Sequence, residues 1–351
     1  MAKNNSWKDK VINHAQLGGI ETSVLDNGLG KGCRVAWVNA GALRYKVAID
    51  RAMDIVEAFY NGHSLAFLTH GATVQRRYDV NYGLDWLQSF NGGLLATCGL
   101  QHFGGPETDD KGLRGLHGRI GNISAEVESV VNPDLLTEQM EMSISGVVKE
   151  TSMFGANLEL RRKISSSIGQ SVIRIHDEVV NVGNSEVQHM LLYHCNFGYP
   201  LIDEGTEIIY KGTCKSRGAI PTDDEIFKSK NDFKKCHGPL EAHRGFGEAC
   251  GLVDIKADKS GMCTAGLYNP RIELAAALRF KKEQLPYMWN WQHFGYGEYV
   301  VGMEPATNGI MGQNNALKAG ELIMLKPGQK RVYDLEIEIM SDPKKIAALR
   351  K

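Results

Sequence analysis

At 351 residues, 42% of them hydrophobic, the chain is long enough to bury a substantial core without staples, as one large β domain or two smaller ones. Its formal net charge of -1, with no basic tract, leaves no electrostatic footprint for nucleic acid or an anionic membrane, so a small or neutral partner is expected. The seven cysteines are odd in number, scattered and free of CxxC spacing, which argues for reduced thiols in a cytoplasmic protein.

The first residues, MAKNNSWKDKVINHAQLGG, lack the apolar stretch of a signal peptide, and no later run approaches the ~20 apolar residues of a membrane span. Residues 1–40 read as an N-terminal extension, 41–340 as one β domain and 341–351 as a tail. From Leu43 to Ile49, apolar residues alternate with polar or small ones, the period of a half-buried strand. DIVEAFY and HSLAFLT flank Asn61-Gly62, a two-residue hairpin signal, and should pair as antiparallel strands. Further strands are predicted at 126–131, 137–148, 156–164, 172–180, 207–210, 261–268 and 332–339, with few amphipathic helices between them. The 39 glycines suit the turns and bulges of large antiparallel sheets, so a sandwich or barrel is favoured over an alternating α/β fold. Residues 222–250 read as a long polar excursion, and SDPKKIAALRK at the C-terminus as a solvated turn with a helical start.

Three segments carry chemistry. In LLYHCNFGYP, residues 191–200, strand alternation puts Met190, Leu192, His194 and Asn196 on one side, and His189, Leu191, Tyr193 and Cys195 on the other. In EYVVGMEPATN, Val300, Gly302 and Glu304 share a face until Pro305 ends the ladder. An ionised carboxylate in so apolar a segment is costly without partners or a purpose, and Gly302 marks a close approach of a ligand or another backbone. The plainer readings are a hydrogen-bonded core histidine and a structural salt bridge; the functional one is an acid and base pair. Residues 96–125 hold a glycine-rich passage that delivers His117 and Arg119, able to face one way if extended and to donate to hydroxyls. No phosphate-binding loop context surrounds them. Trp289, Trp291 and His293 alternate onto one strand face, and Trp86 follows the turn NYGLD. Such rings can pack against the CH groups of a pyranose, although tryptophans at this spacing are more simply sheet core. Cys236, His237, Glu241 and His243 match no zinc template.

Taken in order, Leu-His117-Gly-Arg119, Tyr-His194-Cys-Asn-Phe-Gly198 and Gly-Met-Glu304-Pro-Ala-Thr-Asn308 resemble the galactose mutarotase-like (aldose 1-epimerase) superfamily. TCGL, LHGRIGN, LLYHCNFGYP and VGMEPATN together are similar to one branch of it, and the resemblance spans about Gly41 to Ile339. It implies a mainly β fold, an antiparallel β-supersandwich with few short helices, which binds sugars across an open concave sheet. It also implies His194 as general acid on the ring oxygen, Glu304 as general base on the anomeric hydroxyl, and His117 and Arg119 as holders of substrate hydroxyls. Tyr193 stands where the family usually has asparagine, and the family's sugar-contacting aspartate has no evident counterpart.

Interconverting anomers requires a proton removed from the C1 hydroxyl and one given to the ring oxygen, with no redox cofactor, nucleophile or metal. The expected catalytic pair is therefore His194 and Glu304, with His117, Arg119, Asn196, Trp291 and His293 binding substrate and no cofactor or metal. The same pair could serve isomerisation or elimination on a keto-sugar or uronate, and the fold could also serve a carbohydrate-binding protein without turnover. The expected partner is a small carbohydrate, with a homodimer left open.

Overall fold

The computed structural model describes residues 7–79, 81–110, 112–228 and 232–351. Antiparallel sheets dominate it, as alternation and turn chemistry predict. The largest has eight strands in the spatial order Glu207–Tyr210, Met262–Asn269, Leu274–Lys281, Lys330–Met340, Val172–Asn181, Leu158–Ser167, Glu141–Glu150, Ala125–Val131. A second, seven-stranded sheet runs Gly212–Ser216, Ala249–Ile255, Tyr287–Phe294, Tyr299–Ala306, Val187–Gly198, Ile323–Leu325, with Ala96–Leu100 also paired to Val187–Gly198. A five-stranded sheet is built from residues 19–64 in chain order. The main core lies between these sheets, drawing Val38 and Tyr45 from the third, Ile144, Leu160, Ile175 and Ile337 from the first, and Leu191, Tyr193, Cys195, Phe197 and Met303 from the second.

Local chemistry explains where elements begin and end. Tyr60 pairs with His63, and both Asn61 and Gly62 have positive φ, 48° and 84°, as a tight two-residue hairpin turn requires. The second strand of that hairpin, expected over 63–69, stops at His63–Ser64. The chain then crosses to the seven-stranded sheet, where the Phe67 N–H donates to the Asn196 carbonyl at 3.0 Å and the Gly198 N–H to that of Leu65 at 3.1 Å. The strand expected from residue 137 starts at Glu141, because the Asp134 carboxylate accepts from the Leu136 N–H and the Thr137 hydroxyl and holds a turn there.

Three expectations are corrected. The stretch expected to be an N-terminal extension supplies two strands, Gly19–Val24 and Arg34–Asn39, which bury Ile20 and Val38. The polar excursion contains a helix, Pro221–Phe227, whose buried Asp223 accepts from the N–H groups of Ala219, Ile220 and Cys250. The C-terminal segment is a helix, Pro343–Leu349, capped by Asp342 and docked through Ile346 onto Ala275, Ala277 and Met340. Alanines in that alanine-rich strand are small enough to let the helix lie on the sheet, so tertiary packing overrides their helix propensity. No helix among the described residues is long and apolar enough to cross a membrane.

One polar cluster stands inside the main core. Arg162 is fully buried, forks onto both oxygens of Asp177 at 2.9 and 2.7 Å, and also donates to the Ala52 carbonyl and the Thr97 hydroxyl. The Tyr193 phenol donates to the same Asp177 carboxylate at 2.7 Å. This accounts for tyrosine at the position before His194. Removing one partner of a buried pair strands the other's charge, so Asp177→Ala should cost about 3–5 kcal/mol in urea denaturation. A cost below about 1 kcal/mol, the range of exposed pairs, would show that the cluster is not what joins the sheets.

Candidate active site

Alternation along Val187–Gly198 is the starting point. Its odd-numbered residues 191–197 enter the main core, whereas Met190 and Leu192 join a second apolar cluster on the opposite face with Trp86, Cys98, Cys250 and Trp289. His194 and Asn196 continue that second face. Neighbouring strands bring the rest: Leu192 pairs with Ala306 and Cys195 with Met303, a register that sets His194 across from Glu304. Glu304 in turn pairs with Trp289, and Gly302 with Trp291. His194, Glu304 and Trp291, scattered along the chain, thus share one sheet face.

His194 Nε2 lies 3.4 Å from Glu304 Oε1, and the two residues are only 6% and 1% exposed. Neither Glu304 oxygen has a hydrogen-bond partner among the described residues. Burial pushes the Glu304 carboxyl well above the usual carboxylate range, with Glu248 raising it further and Arg217 opposing. Burial lowers the His194 imidazole to about 4, against its hydrogen bond to Asn196. Burial thus disfavours the charged form of both groups. Gly302 makes room for this arrangement, since a Cβ there would stand 2.5 Å from Glu304 Oε1 and 3.1 Å from the Trp291 Cβ. The close approach marked by that glycine is thus made by two side chains.

Aromatic rings surround the pair. Trp291 and Phe90 lie 5.3 and 5.5 Å from the His194 ring, and His117 meets it edge-on at 5.6 Å. Trp86 contacts His117 at 4.8 Å and His194 at 6.1 Å. His117 is buried and held well below its ordinary pKa, first by burial and then by His194. Its Nδ1 faces the Gly104 N–H at 3.4 Å, so the neutral ring presents Nε2–H as a donor.

Arg119 goes elsewhere. His117 has φ 58° and Gly118 φ 72°, so the chain turns left-handed where an extended one would have aligned both side chains. Arg119 instead pairs with Glu150 at 3.1 Å and the Thr151 carbonyl at 3.2 Å, and none of these contacts belongs to the ring cluster. The guanidinium that acts on Glu304 is that of Arg217, which binds Asp223 at 2.9 Å and Glu248 at 2.8 Å. Glu248 also accepts from the Trp291 indole N–H at 2.8 Å. Arg217, Asp223, Glu248 and Phe90 are absent from the expected site. Three of them sit on or beside the polar excursion, and the pairing of Ala249–Ile255 with Tyr287–Phe294, Cys250 opposite Trp291, brings the end of that segment to the site sheet. His293 stacks 6.2 Å from Trp291 and continues to His243 at 5.8 Å, with Nδ1 on the Gly247 carbonyl and Nε2 3.3 Å from Glu298.

Among the described residues, no group of three or more His, Cys, Asp or Glu is arranged to hold a metal ion. Glu241 is engaged by Arg244, and His243 Nδ1 accepts from the Phe294 N–H. All seven cysteines are free.

Fold and site together define an antiparallel β-supersandwich of the galactose mutarotase-like kind, with a buried histidine and carboxyl facing each other across two strands of one sheet. The chain belongs to the DUF4432 family, described as a domain of unknown function, whose profile matches residues 30–339. Among solved structures it resembles a Klebsiella pneumoniae protein assigned as an aldose 1-epimerase, at 23% identity and a TM-score of 0.85, covering 97% of this chain and 89% of that one. A galactose mutarotase-like protein from Clostridium acetobutylicum aligns at 13% identity and a TM-score of 0.61, covering 93% of this chain and 99% of that one. For galactose 1-epimerase from Lactobacillus acidophilus the values are 9% and 0.57, with 92% and 98% covered. At these identities the likeness is one of fold. No curated protein matches the chain.

A folded-state pKa raised above the ordinary 4.5 gives Glu304 a stability contribution that is complete below that value and lost as pH climbs toward the folded-state pKa. The loss runs at about 1.4 kcal/mol per pH unit, because the unfolded chain ionises and the folded one does not. Glu304→Gln removes this slope. In thermal melts from about pH 4 to about pH 8, the variant should gain on the native protein steadily as pH rises. A gap that stays constant across the range would mean that Glu304 ionises normally in the fold.

Proposed function

We propose that this protein is an enzyme of the aldose 1-epimerase type, interconverting the anomers of a small carbohydrate by general acid and base catalysis. The observation that carries the reading is the buried Glu304 carboxyl, without a hydrogen-bond partner among the described residues, 3.4 Å from His194 Nε2. A structural carboxyl buried at such cost would be expected to have hydrogen-bond donors around it. Mutarotation uses one proton given to the ring oxygen while another leaves the anomeric hydroxyl, so the C1 to ring-oxygen bond opens to a carbonyl; rotation and reclosure reverse both transfers. One acid and one base that trade places on reclosure match this demand and end each turn as they began.

The surroundings suit a neutral polyol. Trp291 and Phe90 offer apolar faces to ring CH groups, His117 offers a neutral donor, and Glu248 with Arg217 offers an acceptor and a donor for hydroxyls. Arg217 is already held by two carboxylates, which weakens the case for an acidic sugar. Seven free thiols support a cytoplasmic setting.

The test is mutarotation kinetics by polarimetry or magnetisation exchange over freshly dissolved aldoses, uronic acids and sugar phosphates. At least one neutral aldose should equilibrate faster, and Glu304→Gln should lower turnover at least ~100-fold with little change in KM, because an amide keeps the shape but cannot carry the proton. Solvent deuterium entering at carbon would replace this reading with isomerisation or elimination. Tight sugar binding with no acceleration of any substrate would make the protein a carbohydrate-binding one.

A further inference from the structure

A cavity of about 1360 Å³ beside the helix Pro343–Leu349 is lined by none of the residues that surround His194. It lies where the edges of the two large sheets meet. Lys211 alone joins Glu207–Tyr210 of the eight-stranded sheet to Gly212–Ser216 of the seven-stranded one, and Lys256 directly follows Ala249–Ile255. Gly212 pairs with Ile255, and one step further along this register the Lys256 N–H donates to the Lys211 carbonyl at 2.7 Å. The two lysines are therefore directly opposed on one ladder, and both line the cavity. Gly212 permits so close an approach, because a Cβ there would stand 2.1 Å from the Asp254 carbonyl oxygen.

Two more lysines come from the polar excursion. Lys235 bridges to Glu207 on the edge strand. The Lys234 ammonium lies 4.5 Å from the centre of the Tyr210 ring and donates to the Tyr210 carbonyl at 3.2 Å, so its charge is turned toward the residue next to Lys211. None of these four lysines has a salt-bridge partner among the described residues. The acids of the cavity wall are mostly engaged elsewhere: Glu207 by Arg350 at 2.9 Å, Glu338 by Arg279 at 2.8 Å, and Asp258 by the Ser260 hydroxyl at 2.7 Å. Only Glu204, at the Gly238 end, is left to offset them. Like charges directly opposite on a ladder destabilise a sheet, and a solvated lysine face avoids this by spreading its charges. Here they converge from separate parts of the chain, which is why no basic tract marks them in the sequence. An anion with two or more charges would relieve the repulsion.

We propose that this groove binds a small phosphate compound, with Lys211, Lys256 and Lys234 around the phosphate oxygens and Lys235 adding to their field. Ammonium groups are compact point charges with three donors each, which suits them to phosphate. Met262, Met340 and Leu349 supply an apolar floor on which the organic part of a phosphate ester can rest. The volume exceeds the ~300–1,000 Å³ of common small-molecule pockets, so both parts have room.

Titration calorimetry of the full-length protein tests this with inorganic pyrophosphate, ADP and a sugar bisphosphate as probes. At about 50 mM salt, at least one should bind with a Kd below about 1 mM, and weaken several-fold at about 300 mM salt. Lys211→Gln combined with Lys256→Gln should weaken that binding at least about 10-fold, whereas Lys318→Gln, outside the cavity, should leave it unchanged. Because the paired substitution removes a repulsion, the unliganded double variant should melt no lower than the native protein. Lys234→Gln gives the same comparison on a side chain outside the ladder. Equal affinity for pyrophosphate and the organic probes would make phosphate alone the ligand; tighter binding of the organic probes would bring in the apolar floor. Binding of no probe below about 10 mM, or equal weakening by Lys318→Gln, would overturn the proposal. So would a double variant that binds as the native protein does, or a native protein that takes up duplex DNA and none of the three probes.

Discussion

The arrangement depends on one buried cation. Arg162 projects from the eight-stranded sheet into the main core, where Asp177 on the adjacent strand neutralises it and Tyr193 on the seven-stranded sheet donates to the same carboxylate. Thr97 and Asp54 close the cluster from two further strands. Apolar contacts between sheets tolerate sliding, but a guanidinium with fixed donor directions does not, and misalignment would leave its charge unsolvated. Tyr193 is thereby pinned inward, and strand alternation sends His194 outward. The ion pair acts on the site through one peptide bond.

On the outward face the physics is reversed. A carboxyl lies in an apolar, ring-lined place without a hydrogen-bond donor among the described residues, and burial favours its protonated form. The fold gives up stability at neutral pH to hold it so. Desolvation thus sets the state of the carboxyl, with Glu248 adding to its effect and Arg217 opposing it. The shell of Trp86, Phe90, His117 and Trp291 maintains that low polarity.

Much of this was legible in the chain because alternation is a local property. The shared faces of Leu192, His194 and Asn196, of Trp289, Trp291 and His293, and of Gly302 and Glu304 all follow from a period of two residues. The same rule failed at His117, where a left-handed backbone interrupts the extended chain and sends Arg119 to Glu150. It could not reach Arg217, Asp223 or Glu248, whose place depends on which strand pairs with Tyr287–Phe294, a choice made by the whole sheet. Alternation places Asn196, but not the Gly93 and His194 carbonyls that its amide meets. The helical start of the C-terminal segment was likewise visible, but not the alanine surface that holds the helix behind it.

Gly302 has a consequence for how this site can change over generations. Its missing side chain is the space that the Glu304 carboxyl and the Trp291 ring occupy. A lineage that gains any side chain at 302 must first shorten or move its neighbours, and one that loses the carboxyl no longer has a reason to keep the glycine. The two positions are tied in inheritance: a bulkier residue at 302 displaces the Glu304 carboxyl from the place where it faces His194.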